Sequence, residues 1–172
     1  FTVRLSKEPR IITSPLSDNT LMVTGYEGEL VDFEIPETIN GKKVTVIDSY
    51  AFKGCTTLKS IKMPDSIISI GEMAFSGCSA LESVTWSKGL LNIGNLAFAD
   101  CVSLQDTVLP KNVVSIGNRI FYNCKKMLNI TLPEALQTIG VDAFAECSNN
   151  LTITCCSGSA AETYAKENGI AY

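Results

Sequence analysis

Apolar residues return along this chain at a fixed interval of 23 positions. Ile47, Ile70, Ile93, Ile116 and Ile139 share that step, as do Phe52, Phe75, Phe98, Phe121 and Phe144. Cys55, Cys78, Cys101, Cys124 and Cys147 follow it too. Leu58, Leu81, Leu104 and Met127 continue in phase, and a one-residue slip at Asn149-Asn150 then gives Leu151. The end of each unit alternates: Leu58-x-x-Ile61-x-Met63, Leu81-x-x-Val84-x-Trp86, Leu104-x-x-Thr107-x-Leu109, Met127-x-x-Ile130-x-Leu132. Alternation puts one side chain in and the next out, so each phrase predicts a short strand. A catalytic motif needs to occur once; a pattern written this often is architecture. One unit alone cannot bury its apolar side, so successive units must stack and bury it together, with equivalent strands about 4.8 Å apart in a parallel sheet.

The rest of the unit can be assigned in the same way. Pro64, Pro110 and Pro133 follow the strand phrases and, lacking an N–H, end the ladder; Ser87 takes that place in the second copy. A second apolar pair, such as Ile67 with Ile70 or Val113 with Ile116, predicts another brief strand on the opposite wall. Gly71, Gly94, Gly117 and Gly140 mark a corner where positive φ is expected, with Asp48 standing there in the first copy. The Ala-Phe-x-x-Cys phrase predicts a compact helical or 3₁₀ turn that drops Phe and Cys into the core. Before Ile47, Phe33-Glu34-Ile35-Pro36 repeats the strand-then-proline phrase. Ile39-Asn40-Gly41-Lys42 reads as a hairpin. Residues 1–30 should form irregular strands over the first coil. At the far end Ser159-Ala160-Ala161-Glu162 is a capping-box pattern opening a helix to Asn168, with Gly169 past its end and Tyr164 and Ala165 facing the last coil.

Composition narrows the chemistry. Apolar residues make up 45% and charged residues 19% of the 172, which is globular rather than disordered. The net charge of −4 and the lack of a dense Lys/Arg run argue against nucleic acid and anionic membrane as direct partners. No apolar stretch approaches the roughly 20 residues of a membrane span. The chain contains no histidine, which removes Ser-His and Cys-His nucleophile pairs and every imidazole ligand or base. A chain that begins Phe1-Thr2-Val3-Arg4-Leu5, with neither initiator Met nor signal peptide, reads as a piece of something longer.

The recurring IGxxAFxxC phrase joined to LxxIxIP, with the closing GSAAETYAKENGIAY, resembles the BspA-type leucine-rich repeats, from about Gly25 to Tyr172. The 23-residue step fits that class. The resemblance implies an α/β repeat solenoid: a right-handed leucine-rich-repeat superhelix of short parallel strands and short helical or 3₁₀ turns. It divides into an N-terminal β cap and degenerate first repeat (1–46), about five repeats (47–155) and a C-terminal helical cap (156–172). It also implies a secreted or surface-attached bacterial protein with a role in adhesion to host or cell-surface proteins. No catalytic, cofactor-binding or metal-binding residue comes with the family.

The candidate sites are few. Five of the seven cysteines occupy one repeat position, so they should form a ladder of buried free thiols whose parallel side chains do not converge into disulfides. Cys155 should turn inward and Cys156 toward solvent. Trp86, the only tryptophan, shares the inward slot of Met63, Leu109 and Leu132 and reads as core. Glu82, Asp106 and Glu134 are scattered and read as solvated surface. The sequons at Asn129 and Asn150 fall inside repeat phrases. The candidate partner-binding face is the outward row Lys62, Thr85, Val108, Thr131 and Thr154. It is small, polar and without aromatics, and it points to a protein partner rather than nucleic acid. The leading expectation is therefore a non-catalytic extracellular interaction module that needs no cofactor. A structural spacer, or a carbohydrate-binding accessory to an enzyme, are the alternatives.

Overall fold

Short strands separated by tight turns wind this chain into coils with two walls. The computed structural model describes residues 8–172. The first seven residues of the expected N-terminal cover lie outside the described part. Along the chain the strands are β1 (Arg10–Pro15), β2 (Leu21–Glu27), β3 (Asp32–Glu34), β4 (Thr38–Ile39), β5 (Lys42–Ile47), β6 (Ser60–Lys62) and β7 (Ser69–Ile70). They continue as β8 (Ser83–Thr85), β9 (Asn92–Ile93), β10 (Thr107–Val108), β11 (Ser115–Ile116), β12 (Asn129–Thr131), β13 (Thr138–Ile139) and β14 (Thr152–Thr154), and the helix α1 (Ala160–Glu167) follows.

The back wall is one eight-stranded sheet in the order β1-β2-β5-β7-β9-β11-β13, with β4 also on β5. From β2 onward its pairings along that order are parallel, and Ile47, Ile70, Ile93, Ile116 and Ile139 lie in register. The expected hairpin forms: β4 and β5 are antiparallel around Asn40 and Gly41, both at positive φ. The front wall differs from expectation. It consists of two separate three-stranded sheets, β3-β6-β8 and β10-β12-β14, and β8 does not pair with β10.

Between the walls runs a column of rings. Tyr26, Phe52, Phe75, Phe98, Phe121 and Phe144 stack one on the next, with centroids 4.9–5.8 Å apart, and Tyr164 closes the column edge-on at 5.9 Å. The phenylalanines are buried. The 23-residue step is what places like rings one coil apart. The two ends of the column come from the caps: Tyr26 from β2 and Tyr164 from α1. Ser159 caps that helix by accepting from the Glu162 N–H, and Gly169 follows it at φ 64°.

The glycine column has a different cause from the one its position suggests. Gly71, Gly94, Gly117 and Gly140 are not among the positive-φ residues. They are small because consecutive coils touch there. A Cβ on Gly117 would lie 2.5 Å from the Asn95 backbone nitrogen, and one on Gly140 would lie 2.2 Å from that of Asn118. Asp48 fits in the first coil, where its N–H donates to Val23 of the cap. Positive φ falls instead on Tyr50, Met73, Leu96, Arg119 and Asp142, and again just before each cysteine, at Gly54, Gly77, Asp100, Asn123 and Glu146. These left-handed residues shape the Ala-Phe-x-x-Cys corner. Its i→i+3 bonds, such as Cys78 N–H to Phe75 O at 3.1 Å, are of the 3₁₀ kind but never run on into a helix. The amides left over bond the next coil instead, as Phe75 N–H does to Ala97 O at 2.8 Å.

Candidate functional site on the front wall

Strand alternation, fixed by the buried Ile61, Ile130 and Ile153, holds the outward row in place. Lys62 and Thr85 lie in register with Glu34 in the first front sheet. Val108, Thr131 and Thr154 lie in register in the second. Four of the five expected residues are exposed and Thr131 is half-buried. Val108 is 63% exposed, high for an aliphatic side chain. Lys62 reaches Glu34 at 2.8 Å, an exposed pair that holds little energy. The row is thus two groups rather than one, and Thr85 and Val108 are neighbours across a gap in the ladder.

Three departures from the repeat meet at that gap. Trp86 occupies a slot filled by Met63, Leu109 and Leu132 in other coils, and its indole is half-buried against Phe98 at 5.2 Å and 70°. Thr107 occupies the inward slot of Ile61, Val84 and Ile130, and its hydroxyl accepts from Trp86 Nε1 at 2.8 Å. The bulky ring and the polar slot therefore compensate one another. The bond seen from Met63 N–H to Thr85 O, and from Leu109 N–H to Thr131 O, is not made between Trp86 and Val108 among the described residues. Ser87, in place of proline, is fully buried and satisfied: it donates to Ile67 O at 2.6 Å and accepts from Gly89 N–H at 3.1 Å. A Cβ on Gly89 would lie 2.5 Å from Asp65 O, so this coil presses on the one before it just where it leaves the one after.

The gap opens a depression of about 520 Å³ over Trp86, Val108, Leu109, Pro110 and Pro133, with Lys88 and Lys111 on its rim. A second hollow of about 380 Å³ shares Trp86, Val108 and Thr131 with the first and includes Asp106 and Asn129. Asp106 does more than face solvent. Its Oδ1 accepts from the amides of Leu128 and Asn129, and its Oδ2 from Asn129 Nδ2. Those bonds, the Asn129 side chain first, hold its carboxyl below the usual range. It clips one coil to the next. Sequence reasoning missed this role because the partner lies a full coil away.

The cysteines form the expected column, and four of its five members also act as donors. The thiols of Cys78, Cys101, Cys124 and Cys147 point at the carbonyls of Phe52, Phe75, Phe98 and Phe121 at 3.1–3.3 Å. Burial pushes Cys78 up to about 12 and Cys101 and Cys124 well above the ordinary thiol range. Such thiols stay protonated and are not nucleophiles. All seven cysteines are free; Cys155 packs against the core and Cys156 is exposed, as alternation predicts. Among the described residues no group of three His, Cys, Asp or Glu side chains could hold a metal ion. No helix of the described chain is long and apolar enough to cross a membrane.

Comparison with known proteins agrees with this architecture. Six copies of the BspA type leucine rich repeat region match residues 27–165. The crystal structure of a leucine-rich repeat protein from T. pallidum superposes with a TM-score of 0.81 at 31% identity, over 83% of this chain and 67% of that one. A leucine rich cell surface protein from Faecalibacterium prausnitzii gives 0.77 at 29% identity, over 94% of this chain and 40% of that one. A leucine-rich repeat protein from Bacteroides ovatus gives 0.77 at 32% identity, over 85% and 39%. The chain thus spans about two-fifths of the length of the latter two. Comparison with curated protein sequences gave no match. With its repeat period, its two-walled coils and its aromatic column all accounted for, the chain belongs to the BspA-type leucine-rich repeat family.

Proposed function

We propose that this chain is a non-catalytic interaction module of a secreted or cell-surface protein, and that it meets a protein partner through its front wall. Leucine-rich repeats are generally binding scaffolds without catalytic machinery, and here four column thiols and the Asp106 carboxylate serve coil-to-coil bonds. The observation that carries the reading is the exposed outward row itself. Lys62, Thr85, Val108, Thr131 and Thr154 stand on backbone fixed by inter-coil hydrogen bonds, so contact with a partner orders little. The name of the Faecalibacterium relative, a cell surface protein, supports the location. The row carries no cluster of cations, which disfavours nucleic acid.

The test uses a panel of purified extracellular-matrix proteins and a variant with Lys62→Glu, Thr85→Glu and Thr131→Glu together. These side chains lie at the surface or half-buried, so the melting temperature should move by no more than about 4 °C. Binding to any matrix protein the native chain captures should weaken by about tenfold or more, since three like charges are placed in one contact face. Unchanged binding would remove the front wall as the contact surface.

A further inference from the structure

We propose that the gap between the two front sheets is a socket for an extended acidic peptide that presents one bulky apolar side chain. This rests on reading the front wall as the interaction face and names the partner chemistry that face would take. The floor of the depression is Trp86, Val108, Leu109, Pro110 and Pro133, and the indole N–H of Trp86 is already committed to Thr107. Beside the ring the side chains offer a sugar only the Thr131 hydroxyl and two exposed lysine heads, too few for its many hydroxyls; an apolar side chain needs only the burial.

The rim supplies the sign of charge. Lys88 and Lys111 stand one coil apart in the same repeat column, bounded by Asp65 before and Glu134 after. Lys111 forms no ion pair among the described residues, and the Lys88–Asp65 pair is exposed at 3.1 Å and exchanges readily with solvent or ligand. The charged residues that line the depression are these two lysines, so in a chain of net charge −4 the apolar floor lies under a local excess of positive charge that favours acidic residues. The unmade bond between Trp86 and Val108 leaves an amide and a carbonyl facing the gap, and a peptide backbone can satisfy both where a small apolar molecule cannot.

Trp86 is the only tryptophan, so its fluorescence reports the site directly. The probes are capped pentapeptides with a central Phe or Leu: one pair flanked by Asp and Glu, one by Asn and Gln, one by Lys and Arg. Cellohexaose serves as the sugar probe. The acidic peptides should shift the emission saturably. The amide-flanked pair should bind about fivefold more weakly and the basic pair more weakly still. Val108→Asp, at an exposed position, should abolish the response with melting unchanged, and Lys111→Glu should weaken it by about tenfold. Saturation by cellohexaose, equal binding of acidic and basic peptides, or no saturable response to the acidic peptides each overturns the proposal. If the peptides fail while the triple Glu variant still loses its matrix protein, the socket falls and the front wall stands; if that variant also keeps its partner, both fall.

Discussion

The Sγ–H of Cys101 points at the carbonyl of Phe75, 3.3 Å away, and burial keeps its proton on far above the ordinary thiol range. The same holds for Cys78 and Cys124. In the unfolded chain these thiols ionise near their ordinary value of 9.0; in the folded chain Cys78 holds its proton to about 12, and burial likewise raises Cys101 and Cys124 well above the ordinary range. Their contribution to stability is whole below about pH 9 and is lost as pH rises toward the folded values. The urea midpoint should therefore fall more between about pH 8 and about pH 11 in the native sequence than in a Cys78→Ala, Cys101→Ala, Cys124→Ala variant. Equal falls would contradict the assignment. Glycines split by mechanism in a similar way. Gly117→Ala drives a methyl into the Asn95 backbone and should cost about 3 kcal/mol, whereas Gly54→Ala meets open space at φ 71° and should cost about 1 kcal/mol. Chemical denaturation of both variants checks the order; a Gly117→Ala change as mild as Gly54→Ala would contradict the close approach. The periodicity told which residues recur, but not these reasons. Both the thiol's acceptor and the glycine's neighbour belong to another coil, and a linear sequence does not display them.

The strands and turns were legible wherever alternation and a stop signal coincide. β6, β12 and β14 sit where the phrases place them, as do the Asn40-Gly41 hairpin and the capped helix α1. What the pattern did not display was the interruption of the front wall. Ser87 and Thr107 each stand out as a departure from the repeat, but the effect they have with Trp86 depends on its indole N–H reaching a hydroxyl on the next coil. The aromatic column is the element that ties the coils together. Phe98 touches Phe75, Phe121 and Trp86, so Phe98→Ala opens a cavity against three rings and should cost about 3–5 kcal/mol. It should also shift Trp86 emission in the folded state, because the ring loses its edge contact. A near-neutral change in the denaturation midpoint would mean the column is not core.

The molecule as a whole is a continuous back wall joined to a divided front wall by a stack of buried rings. Repetition serves burial, and three departures from the repeat, Trp86, Ser87 and Thr107, meet where the front wall divides. The chain spans about two-fifths of the length of its Faecalibacterium and Bacteroides relatives. Native-state amide hydrogen exchange followed by NMR tests the division directly. The amides of Met63 and Leu109, each bonded to the next coil, should exchange roughly a hundredfold or more slower than the Trp86 amide at the gap. A Trp86 amide as protected as that of Met63 would show an unbroken front ladder and contradict the account.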